Sequence, residues 1–185
     1  VEEAKFSFEL TRSAMRKIMV KDFEGIGSLS GVSSSYLKGM PLISGISGSI
    51  SFSPQEIIIN ASEGTVRSEF MRDDVSLVRG VVRLHGLDNK LRFADIKIEC
   101  VANLSDALIL IDNQPLQYAS ALGIRPADFS GQSTIALQLD FPLKKELSLS
   151  DVKVNSQVFV KEGMVQDLES GLSISDGAFN FSIDN

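Results

Sequence analysis

Residues 135–141 read Ile-Ala-Leu-Gln-Leu-Asp-Phe, which sets Ile135, Leu137, Leu139 and Phe141 on one side and Ala136, Gln138 and Asp140 on the other. A two-residue period of this kind marks a strand with one apolar and one polar face. The rhythm recurs outward in both directions. Upstream it governs Phe6, Phe8 and Leu10, then Ile46, Ile50 and Phe52, then Ile57 and Ile59, then the stretches 75–84 and 91–102. Downstream it governs Val152, Val154, Val158 and Val160, and finally Leu172 and Ile174 followed by Phe179, Phe181 and Ile183. About ten strands follow from this reading. Ser53-Pro54, Gly86-Leu87-Asp88-Asn89 and Asp176-Gly177 read as turns between them. Gly45 and Gly48 leave room for a bulge or a close backbone approach.

Two stretches depart from alternation. From Ser105 to Leu122 the apolar spacing is helical, with Ser105 as a cap, Pro115 at the start of a second helix and Gly123 just past its end. The expectation is a short helical hairpin near residues 105–122, docked on a sheet. Residues 13–23 are ambiguous between strand and helix. If helical, they would gather Arg12, Arg16, Lys17 and Lys21 into a basic patch. The expected class is therefore mainly β, either an elongated, curled antiparallel sheet or a sandwich-like groove. The chain forms a single β-rich unit, with possible sub-lobes at 1–103 and 104–185. Because it opens on Val1, it is expected to be a fragment of a longer protein.

Composition narrows the chemistry. The 185 residues carry 18 basic and 24 acidic side chains for a net charge of −6, so nucleic acid is not an expected partner. Apolar residues make up 43%, too many for disorder. His85 and Cys100 are the only histidine and cysteine, too few for a structural zinc site or a disulfide. No cofactor, metal or catalytic set is expected. His85 reads as a solvated strand end and Cys100 as a core position, Asp73-Asp74 as a turn, and Gly25, Gly27 and Gly31 as a weak echo of a phosphate loop. The apolar run around Ile109 to Ile111 falls far short of the roughly 18 residues of a membrane-spanning helix.

The run PLISGISGSISFSPQEIIINASEGTV (Pro41 to Val66) resembles the Pro-Leu-x-Ser-Gly opening, paired strands and closing Gly-x-Val of a module in long AsmA-like bacterial envelope proteins, of the YhdP and TamB type. ALILIDNQPLQYASALGIRPADFSGQSTIALQLDFPL (Ala107 to Leu143) and SLSDVKVNSQVFV (Ser148 to Val160) extend the likeness. What the resemblance implies is a segment of a periplasmic, bridge-like protein that moves phospholipid between inner and outer membranes. Its parent would be anchored in the inner membrane, and its partners would be acyl chains and further modules of the same chain. Under that reading Ile135, Leu137, Leu139, Phe141, Val152, Val154, Val158 and Val160 contact lipid. Periodicity also permits apolar faces that close into a dry core, and joined to the resemblance this gives the alternative of a non-catalytic envelope scaffold with edge strands free to recruit partners.

Overall fold

Alternation is realised as one antiparallel sheet of nine strands in sequence order. They are β1 (Lys5–Arg12), β2 (Ile18–Ser34), β3 (Ile43–Phe52), β4 (Glu56–Val66), β5 (Val75–His85), β6 (Phe93–Asn103), β7 (Phe129–Pro142), β8 (Lys153–Gln166) and β9 (Ser173–Asp184). The computed structural model describes the backbone of residues 5–12, 18–36, 38–114, 116–166, 171 and 173–184, and side chains from residue 23 onward except 149. Among the described residues, every connection but one is free of α-helix. The exception, between β6 and β7, carries α1 (Leu104–Asp112) and α2 (Tyr118–Ala121), the helical insert expected from the spacing.

The sheet does not close. β1 and β9 are the two ends of the strand order, and among the described residues the main strand-to-strand packing is between ladder neighbours. The open form of the two expected architectures is the one adopted, and the sandwich or barrel is not. The pairing of β6 with β7 from Phe93↔Pro142 to Asn103↔Gln132 carries the sheet across the junction between 1–103 and 104–185. The accessible surface is 12770 Å², whereas a compact protein of 20.1 kDa should expose about 8,700 Å². A single layer accounts for the difference, because each strand keeps two faces toward solvent unless something lies on them.

Several local expectations are corrected. Of the two readings open for residues 13–23, Ile18 to Phe23 adopt the strand, as part of β2. Arg12 ends β1 and Lys21 lies in β2, while Arg16 and Lys17 fall outside the described residues. Gly25, Gly27 and Gly31 also lie within β2 and form no phosphate loop. The Phe52 ring occupies the space where a Gly25 side chain would stand, so this glycine exists to admit a large neighbour. Asp176-Gly177 does not separate two strands. It is a bulge inside β9, with Asp176 at φ 55° and Gly177 opposite Gly163, which is one reason nine strands form instead of ten. Gly48 does make the close approach expected of it, since a Cβ there would collide with the Asn60 carbonyl oxygen.

The helical insert covers one end of the sheet. Asn103, rather than Ser105, caps α1, its side-chain oxygen accepting the Ser105 N–H at 3.1 Å. Gly123 adopts φ 70° just past α2, as its position predicts. Pro115 lies outside the described residues. Ala107 packs into a cluster with Val66, Met71, Val75 and Ala102, and Leu104 packs on Val158 and Val160. The Asp106 carboxylate, 2% exposed, accepts the backbone N–H groups of Arg72 at 2.8 Å and Asp73 at 3.2 Å. It ties α1 to the β4–β5 loop. Asp112 accepts the N–H and hydroxyl of Ser120 at 2.7 and 2.6 Å, which joins the two helices and holds its own carboxyl below the usual range.

Candidate functional site: an uncovered apolar face

Residues paired across an antiparallel ladder project from the same face, so the register shows which side chains lie together. One row joins Phe52, Ile57, Leu84, Ala94 and Phe141. A second joins Ile50, Ile59, Val82, Ile96, Leu139 and Val154. A third joins Ala61, Gly80, Ile98, Leu137 and Ser156. The rows are about 7 Å apart along the strands, and a row crossing six strands is about 24 Å long. Among the described residues, α1 and the turn Pro126–Asp128 are the elements that lie on the sheet, over β6, β7 and β8. Their contacts fall on the other end of this face, around Ala102, Ile135, Val158 and Val160. The three rows are thus a largely apolar surface, half-buried for the most part, in which Gly80, Ala94 and Ser156 are buried between their larger neighbours.

The opposite face carries the charged and amide side chains, interspersed with exposed apolar ones such as Val81, Val101 and Phe159. Arg79 pairs with Glu99 at 2.6 Å and Arg83 with Glu56 at 2.8 Å, and Lys97, Gln138 and Asn155 occupy successive strands of one row. A hollow of about 450 Å³ lies over this region, lined by Arg79, Lys97, Glu99 and Gln138 but also by Val81 and Ala136. Of the two cations in its lining, Arg79 is paired with Glu99. Such exposed pairs contribute little to stability, but they fix which face meets water.

The expected lipid-contacting residues divide between two environments. Leu137, Leu139, Phe141 and Val154 stand on the uncovered rows. Val152 sits immediately before β8 and continues their parity. Ile135 packs against the clusters beneath the helices, Val158 is 8% exposed and Val160 is fully buried. These three are core in this structure, because alternation reports a face but not what lies on it. Val82, Leu84, Ile96 and Ile98 share the uncovered face and were not singled out from sequence; cross-strand register, which one strand's pattern does not carry, unites them.

The reactive side chains are placed as follows. Cys100 packs against the cluster beneath α1, and burial, helped by the neighbouring Glu99 carboxylate, pushes its thiol up to about 11. It is a thiol at neutral pH. His85 ends β5 on the polar face, as expected, but it has a partner the sequence did not reveal. Its Nε2 lies 3.2 Å from Asp95 and its ring stacks on Phe93 at 5.6 Å. Asp73 and Asp74 form an exposed turn, with Asp74 held by Arg67 at 2.7 Å. No group of three His, Cys, Asp or Glu side chains suited to a metal occurs among the described residues, and none of their helices is long and apolar enough to cross a membrane. No protein-family model, curated protein or solved structure matches the chain.

Proposed function

We propose that this chain is a non-catalytic segment of a lipid conduit, and that acyl chains rest on its uncovered apolar rows. One observation carries the reading: three largely apolar rows cross a single-layer sheet, and among the described residues no second layer lies above them. Apolar surface left in water forgoes about 25 cal/mol per Å², and a wide uncovered patch marks a binding surface. The dimensions suit a hydrocarbon guest. A row of about 24 Å exceeds the roughly 15 Å depth of one bilayer leaflet. Leu137, Leu139, Phe141 and Val154 are the contacts already expected, joined by Ile96 and Leu84. The resemblance to AsmA-like envelope proteins supports the same reading, and with it a periplasmic setting, an inner-membrane-anchored parent and neighbouring modules that continue the sheet.

Native mass spectrometry of protein purified without detergent tests it. The expected result is co-purifying phospholipid that is lost in Leu139→Asp while the circular dichroism spectrum is retained. A wild-type protein free of lipid, or an L139D variant that keeps its full load, would overturn the proposal.

A further inference from the structure

Successive loops of a meander alternate between the two ends of the sheet, so the chain's connections form two groups. The helical insert, the β2–β3 loop and the β4–β5 loop share one end. The loops at 53–55, 86–92 and 143–152 share the other, where the uncovered rows emerge at Leu84, Ala94 and Phe141. Both ends expose apolar tips, Phe70 and Leu122 at the helical end among them, and what sets the open end apart is the charge around them. Leu91 is 71% exposed, Leu147 43% and Leu143 38%. They stand in the runs Lys90-Leu91-Arg92 and Leu143-Lys144-Lys145-Glu146-Leu147. The Leu143 N–H donates to the Arg92 carbonyl at 2.8 Å, which sets the two loops side by side.

The longer loop is braced internally. Asp151 pairs with Lys144 at 2.6 Å and accepts the Ser148 N–H at 2.8 Å, and Lys144 and Ser148 hold its carboxyl at about 2. The brace leaves Lys145 and Leu147 displayed outward. Among the described residues, Lys90, Arg92 and Lys145 have no ion-pair partner. In a chain of net charge −6, the loops 53–55, 86–92 and 143–152 carry four cations against three carboxylates. The connections 35–42, 67–74 and 104–128 at the other end carry four cations against six carboxylates. Exposed leucines set among basic side chains match the acyl-headgroup boundary of an anionic bilayer, where apolar tips insert and ammonium groups remain at the phosphates.

We infer that the end built from loops 86–92 and 143–152 docks on an anionic membrane surface, so that the uncovered rows open directly against the bilayer. The purpose of this docking rests on the proposed lipid conduit, but the docking itself is measured separately. Flotation with phosphatidylethanolamine–phosphatidylglycerol vesicles should carry the wild-type protein, and pure phosphatidylcholine vesicles should carry less. L91D/L147D should weaken flotation about tenfold or more, K90E/K145E should weaken it in a salt-sensitive manner, and Leu122→Asp, at the opposite end, should leave it unchanged. Equal flotation of L91D/L147D and wild type, equal loss in L122D, or no flotation of the wild type overturns the inference. So does a concentration-dependent dimer that is lost in L91D/L147D without any flotation, since that result gives the surface to a second copy. Lipid load in L91D/L147D separates the two proposals. Retained load with lost flotation supports both, flotation of a lipid-free protein refutes the conduit alone, and loaded protein that never floats refutes the docking alone.

Discussion

The covered and uncovered ends of one apolar face are made from the same kinds of residue, yet they behave as different materials. Beneath α1, Val160 is fully buried and Ser133 is 3% exposed, its hydroxyl donating to the Ala102 carbonyl at 2.8 Å. Two residue pairs further along β7, Leu137 and Leu139 have neighbours beside them and, among the described residues, no element above. Most register shifts lie at the covered end, between Leu29 and Ser34, Ser44 and Gly48, Leu77 and Arg79, Ser130 and Gln132, and Val160 and Val165. Pairing over the open rows is unbroken from Ile96↔Leu139 to Phe93↔Pro142. Bulges bend and twist a sheet, and here they shape it to receive the helices. Regular pairing keeps the remainder a smooth strip. The difference teaches that burial in this protein comes from what is laid on the sheet and not from the strands themselves.

Placing one charge in each region gives the largest contrast. Val160→Asp buries an unpaired carboxylate under Leu104 and should destabilise by about 4 kcal/mol or more, whereas Leu139→Asp, on the open rows, should cost well under half as much; urea denaturation of both variants checks the gap. Equal costs would mean that the open rows are covered in solution. The next effect concerns what holds the cover down. Asp106→Ala leaves the Arg72 and Asp73 N–H groups without their acceptor and should cost about 2–3 kcal/mol. Hydrogen exchange should quicken in α1 and in 67–74, while β7 from Leu137 to Phe141 keeps its protection.

The smallest effect lies at the open end. Asp151 has its folded pKa depressed to about 2, below the unfolded value near 3.9. Its contribution is therefore present above pH 4 and lost as pH falls from about 4 toward 2. Amide signals of 144–151 should shift across that window, and Asp151→Asn should remove the step without altering the helical end.

Much of this architecture was legible in the sequence, and the failures share one physical origin. Strand alternation, the 86–89 turn, the helical spacing of 105–122 and the positions of Gly48 and Gly123 are local properties, set by a residue's own backbone and its near neighbours. What was missed depends on strands far away in the chain. The glycine-rich course of β2 looks like a loop until Phe52 is seen over Gly25. Asp176-Gly177 has turn composition, yet its place opposite Gly163 makes it a bulge. The helical cover over Ile135, Val158 and Val160, the Asp95 beside His85 and the buried acceptor role of Asp106 all require the fold. Within the candidate site, the alternation of β7 and β8 was readable, and the division into core and open surface was not.

The strict sequence order of the strands, with both margins of the sheet left unpaired, also bears on how such a protein can change length. A strand that leans only on its two flanking strands can gain a new hairpin beside it without repacking a distant core. Each added hairpin widens the sheet by about 9.6 Å while preserving which side is oily and which is charged. Reach is therefore a quantity that duplication and deletion adjust in fixed increments, while the helical cover stays where it is.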